Sequence, residues 1–154
     1  MRIAVVGMGK IGLPLAVHYA RRGHSVVGVD VNPQTVALIN GGEEPFPGEA
    51  HLAEYLPALI SSGALRTTTD YAEAVPGADA VVMVVPLVVD AESRPDFTIM
   101  DAATRSMAAH LSPGTLVSYE TTLPVGTTRG RYKPLIEEVS SLVEGRDFDV
   151  VFSP

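Results

Sequence analysis

The sequence predicts an α/β fold: a doubly wound, mainly parallel sheet of six strands with helices on both faces. Three observations carry this expectation. Short apolar, β-branched runs recur along the chain, segments with helical spacing lie between them, and a cluster of glycines directly follows the first run. The runs are apolar throughout instead of alternating with polar residues, as strands covered on both faces require.

The first strand is expected at residues 3–6 and the second at 25–29, joined by a helix at 11–22 whose Leu15, Tyr19 and intervening alanines read as a core-facing stripe. Pro33 opens a helix at 33–40, because its fixed φ and missing N–H suit a first helical position. The stretch from Gly42 to Gly48, with Pro45 and Pro47 inside it, reads as a loop before a helix at 50–61. A short third strand at 64–67 and a helix at 71–75, capped by Asp70, lead to the fourth strand at 80–85. After it, Asp90, Glu92 and Asp96 fall in a proline-containing loop without a histidine partner, so they read as solvated acids and not as metal or acid–base groups. Helix 98–110, strand 115–118, helix 127–143 and strand 150–152 complete the alternation. Right-handed crossovers restrict such a chain to few topologies.

The 154 residues, 46% hydrophobic, suffice for one domain with a real core. Eleven Lys and Arg against eighteen Asp and Glu give a net charge of -7, whose field repels polyanions; neither a nucleic-acid partner nor an anionic membrane surface is expected. A small anion held by backbone N–H groups is compatible with that charge. The absence of cysteine excludes disulfides, thiolate zinc sites and cysteine nucleophiles within the chain. His18, His24, His51 and His110 lack metal-ligand spacing, so no metal site is expected and no chemistry is assigned to them. The N-terminal apolar run is too short for a membrane span and lacks a cleavage-site pattern, which makes the cytoplasm the expected location.

Gly7-Met8-Gly9-Lys10-Ile11-Gly12 follows the first strand and opens a helix, the context in which G-x-G-x-x-G binds a dinucleotide. The first glycine permits the tight turn, the second lets backbone approach a pyrophosphate, the third lets helix and strand pack closely, and the helix N-terminus supplies donors. The bland alternative is a glycine turn that only connects strand to helix. Asp30 closes the second strand eighteen positions after Gly12, where a carboxylate can accept from an adenosine ribose diol; its alternative role is an N-cap for the helix at Pro33. Val31 and Asn32 follow with no arginine, so a 2′-phosphate would meet a repelling charge, and NAD is favoured over NADP. Lys10 is either a pyrophosphate contact or, the plainer reading, a solvated lysine at the start of a helix. The expected fold is thus Rossmann-type, with Gly7, Asp30, Pro86 and Glu120 all just past the carboxyl ends of parallel strands, the edge where such sheets bind ligands.

Further motifs stand at the same edge. Gly12-Leu13-Pro14, Val85-Pro86 after the fourth strand, Glu120-Thr121-Thr122-Leu123-Pro124-Val125-Gly126-Thr127-Thr128 after the fifth, and the closing Phe152-Ser153-Pro154 occur in that order. The set resembles, over essentially the whole chain, the N-terminal domain of the UDP-glucose/GDP-mannose dehydrogenase family, and the threonine-rich element is its most specific part. The resemblance implies an NAD-dependent oxidoreductase that oxidises the C6 hydroxymethyl of a UDP- or GDP-linked hexose twice, through the aldehyde level, to a uronic acid for polysaccharide biosynthesis, consuming two NAD. It also implies a homodimer in the full-length enzyme, with a dimerisation region and a sugar-nucleotide domain that supply a cysteine nucleophile and a lysine. Family members continue the Ser-Pro element with a glutamate, so residues 1–154 read as a cofactor-domain fragment without turnover of its own.

By the same resemblance, Val85, Pro86, Glu120, Thr121 and Thr122 lie toward the nicotinamide, and Thr122 helps to position a catalytic water. An ST-turn or helix cap is the alternative for Thr122, and more so for Thr127 and Thr128. The sequence departs from the pattern at Pro86-Leu87-Val88, where the family has Pro-Thr-Pro: Leu87 can pack on a ring face but cannot replace a hydroxyl contact. Glu49 and Leu52 fit the pattern weakly, with Ala50 and His51 in place of its Pro-Gly. Two rival readings are the N-terminal domain of a β-hydroxyacid dehydrogenase, against which Asp30-Val31-Asn32 and the threonine-rich loop both argue, and a non-catalytic NAD-binding regulatory module.

Overall fold

A computed structural model, which describes residues 1–49 and 51–153, realises the alternation as one parallel sheet of Rossmann type. β1 (Arg2–Val6) is followed by α1 (Gly12–Arg21) and β2 (Ser25–Val29), and α2 (Pro33–Asn40) with α3 (Leu52–Ser61) leads to β3 (Leu65–Thr68). Next come α4 (Tyr71–Ala74), β4 (Ala80–Met83), the two-residue strands β5 (Val88–Val89) and β6 (Pro95–Asp96), α5 (Thr98–Ala108) and β7 (Thr115–Tyr119). A π-helical turn (Thr128–Tyr132) runs into α6 (Lys133–Ser140) before β8 (Phe148–Phe152).

The sheet order is β3-β2-β1-β4-β7-β8, with every pairing parallel. From β1 the chain winds outward through β2 and β3, then returns to β4 on the other side of β1 and winds outward again through β7 and β8. Because each crossover is right-handed, reversing the direction of winding moves the helices to the opposite face. Accordingly Ile3 and Val5 of β1 pack with Leu13 and Val17 of α1, Ile39 of α2 and Leu56 of α3, whereas Ala4 and Val6 share a cluster with Ala74 of α4, Met100 and Met107 of α5 and Ile136 of α6. The reversal opens a crevice at the carboxyl ends of β1 and β4.

Departures from the sequence reading have local causes. α1 buries Leu13, Ala16, Val17 and Ala20, leaving Leu15 and Tyr19 half-buried at the flank of the stripe. β4 stops at Met83, two residues before the expected end, because its partner β1 stops at Val6 and gives way to the glycine turn. The acids expected in an open loop instead organise an antiparallel β5–β6 hairpin. Asp90 accepts from the backbone N–H groups of Glu92 (3.0 Å) and Arg94 (2.8 Å) and from Arg94 Nε (2.8 Å), a set of bonds that closes the turn. The helix expected over 127–143 is divided: Pro134 has no N–H to donate back, the turn ahead of it widens to π geometry, and α6 ends at Ser140 before the left-handed Ser141 (φ 60). The helix expected from residue 50 begins at Leu52 behind the left-handed His51, and Ala50 lies outside the described residues.

Candidate cofactor site

The glycine turn is where the sheet, the first helix and the crevice meet. Gly7 has φ +97 and donates its N–H to Val29 O at 2.8 Å; a Cβ on it would stand 3.0 Å from Val84 O. At Gly12 a Cβ would fall 1.7 Å from Gly7 O, so α1 can start this close to the turn only with glycine there. Gly9 differs, because nothing lies within 4 Å of where its Cβ would be. The protein's own packing does not require that glycine; the bare backbone faces open space, which suits the close approach of a pyrophosphate.

Asp30 is half-buried at the end of β2. Its Oδ2 accepts from Met8 N–H at 2.8 Å and its Oδ1 from Asn32 N–H at 2.9 Å. The helix cap is Asn32, whose Oδ1 accepts from Gln34 N–H at 3.0 Å, so the alternative of Asp30 as N-cap of α2 is set aside. An ionised carboxylate offers about four acceptor positions, so two remain for a ribose diol. Met8 turns its side chain away from the crevice into the α1–α3 layer, fully buried, and can serve a ligand only with its backbone. Lys10 and Ile11 are exposed at the start of α1.

Gly7, Gly9, Asp30, Val85 and Pro86 come together along one cleft of about 560 Å³. Its opposite wall is Tyr71 and the Ile99, Ala102 and Ser106 face of α5, none of which the sequence reading singled out. A signal was present: α5 carries a second stripe at helical spacing, with Ile99 55% exposed, beside the buried stripe of Met100, Thr104 and Met107. Burial, and then the charge of Asp30, pushes the Tyr71 phenol up. The sheet edge continues past this cleft to the end of β7. There Glu120 N–H donates to Met83 O at 3.0 Å and Glu120 Oε1 accepts from Ser118 Oγ at 2.8 Å, which holds the start of the threonine-rich loop beside the end of β4. Glu120 and Thr121 are half-buried and Thr122 is exposed, and among the described residues neither threonine hydroxyl has a protein partner. These three residues do not line the cleft. Leu87 packs against the α4–α6 cluster.

Beyond the loop, a second cavity of about 590 Å³ lies between the π-turn and β8, lined by Leu123, Val125, Arg129 and Phe152 among others. Among the described residues, no group of three His, Asp or Glu side chains could hold a metal ion, and no helix is long and apolar enough to cross a membrane.

Over residues 1–154 the sequence matches the UDP-glucose/GDP-mannose dehydrogenase family, NAD binding domain. It is 35% identical to UDP-N-acetyl-D-mannosamine dehydrogenase of Pyrococcus horikoshii, covering 100% of this chain and 36% of that protein. It is 36% identical to the enzyme of that name from Escherichia coli (strain K12), covering 99% and 36%. The fold superposes on the crystal structure of a ternary complex of GDP-mannose dehydrogenase from Pseudomonas aeruginosa with a TM-score of 0.94 at 30% identity, covering 100% of this chain and 36% of that one. The chain therefore spans about a third of the length of the relatives it matches. With glycine turn, Asp30 and apolar cleft on one strand edge, and with that match across its whole length, the chain belongs to the UDP-glucose/GDP-mannose dehydrogenase family, as its NAD binding domain.

Proposed function

We propose that residues 1–154 serve as the cofactor domain of a homodimeric, cytoplasmic oxidoreductase that oxidises a UDP- or GDP-linked hexose at C6 to the uronic acid for polysaccharide biosynthesis. The observation that carries this reading is the threonine-rich loop held beside the end of β4, on the same strand edge as the cleft that ends at Asp30. NAD supplies the hydride acceptor when bound. Asp30 holds the adenosine ribose, the Gly9 backbone and the start of α1 receive the pyrophosphate, and Val85 and Pro86 bound the path toward the nicotinamide. Glu120 and Thr121 set the loop's departure from β7, and the free Thr122 hydroxyl orients the water that the second oxidation consumes. Lys10 and Ile11 stay at the rim, where Lys10 adds positive charge near the phosphates. The net charge of -7 supports neither a nucleic acid nor an anionic membrane as partner.

The test is NADH formation by the full-length protein with a panel of UDP- and GDP-hexoses. Two NADH per uronic acid are expected, with Thr122→Ala lowering kcat roughly ten- to a hundredfold at unchanged NAD affinity. No NADH with any nucleotide sugar would sink the substrate assignment. An unchanged kcat in the variant would remove Thr122 from the chemistry.

A further inference from the structure

The end of β2 meets the glycine turn at three points. Val29 O accepts from Gly7 N–H at 2.8 Å and Asp30 Oδ2 accepts from Met8 N–H at 2.8 Å. Gly28 leaves the space that the Met8 side chain fills: a Cβ there would stand 2.3 Å from the Met8 sulfur and 2.9 Å from Thr67 Cγ2. A glycine inside a buried strand costs stability, and this is the local reason for it. Met8 is thus fixed at its N–H and at its fully buried side chain, while Gly9, next in the chain, is open to the cleft. Peptide units are planar, so fixing one residue restrains the direction in which the following N–H groups point.

We propose that Met8 is a positioning residue for the phosphate-binding turn, and that Asp30 acts on the pyrophosphate end through Met8 as well as on the ribose directly. This rests on the cofactor lying along this edge. A carboxylate that only reads the ribose loses its influence when the ribose hydroxyls are removed from the ligand. One that also shapes the turn keeps part of it.

The experiment titrates the 154-residue chain and its Asp30→Ala and Asp30→Asn variants with NAD and with an NAD whose adenosine ribose is 2′,3′-dideoxy. Amide hydrogen exchange at Met8, whose N–H the Asp30 carboxylate accepts, is followed in parallel. Asp30→Ala is expected to weaken the dideoxy ligand about fivefold or more, and to speed exchange at Met8 about tenfold with Val27 unchanged. Asp30→Asn, whose amide oxygen can still accept from Met8 N–H, recovers most of that protection. Dideoxy binding by Asp30→Ala within about twofold of the parent, or unchanged exchange at Met8, overturns the proposal. Should the parent bind neither ligand, the cofactor site along this edge holds only for the intact enzyme, and the exchange comparison alone decides the role of Met8.

Discussion

Gly9 and Gly12 stand three positions apart in one motif and are glycine for different reasons. Gly12→Ala forces backbone against backbone, which no side-chain rotation relieves, so a loss on the order of 3 kcal/mol is expected, read as a lower thermal midpoint. Gly9→Ala has room in the free protein. Its melt should stay within about 0.5 kcal/mol of the parent, while NAD affinity falls about tenfold or more as the methyl meets the pyrophosphate. Equal melting losses in the two variants would refute this separation. In the wall of the same cleft, Tyr71→Ala should weaken NAD several-fold and Tyr71→Phe less, since the ring supplies most of the contact area. Calorimetry with NADP should show binding at least about tenfold weaker than NAD, because Asp30 meets the extra phosphate. At this scale the glycines and Asp30 were legible in the sequence, because each has a backbone or charge requirement tied to a fixed spacing. Tyr71, Ile99 and Ser106 were not, since nothing in a lone tyrosine after β3, or in a second stripe on α5, says that the two will line the same crevice.

The elements divide in the same way. The bounds of α2 were legible to the residue, because Pro33 starts it; its cap was not, since Asn32 and not Asp30 accepts from Gln34 N–H. The β5–β6 hairpin was hidden: two-residue strands are too short for any alternation to show, and the side chain that gathers most of its turn is Asp90, beside the backbone bond from Asp90 N–H to Arg94 O and the Arg94–Glu92 pair. The Arg94 backbone N–H, and then the Arg94 side chain, keep the Asp90 carboxyl below the usual carboxylate range. A depressed carboxyl contributes stability that is present above its unfolded value and is lost as pH falls through the depressed one. The amides of Glu92 and Arg94 should therefore be protected from exchange at neutral pH and exposed below the carboxylate range; protection that persists in strong acid would show that Asp90 does not hold the hairpin. In the opposite layer, Tyr119 stacks on Tyr132 at 4.5 Å and 11°, and Thr104 Oγ1 lies 2.9 Å from the Tyr119 hydroxyl in a fully buried pair. Thr104→Val strands that hydroxyl and should cost about 1–3 kcal/mol in urea unfolding, whereas an unchanged midpoint would mean the hydroxyl finds another partner.

For the molecule as a whole, the sequence by itself determined that strands and helices alternate, that the strands are parallel and doubly covered, and that the strand edge after β1 and β2 carries a glycine turn and an acid spaced for a dinucleotide. It could do so because those properties are written in periods, caps and spacings a few residues long. Only the tertiary structure decided which groups from distant stretches became neighbours: Asp30 with Met8, Gly28 with the Met8 side chain, the end of β7 with the end of β4, and α5 and Tyr71 with the glycine turn around one cleft. The first three come from the pairing of β1 with β2 and of β4 with β7; the reversal of winding beside β1 brings the two halves together around the cleft, and it follows from right-handed crossovers acting on the whole sheet and from the burial of two separate apolar layers. No local pattern encodes it, because the free energy that selects it is gained only when all six strands and both layers are in place.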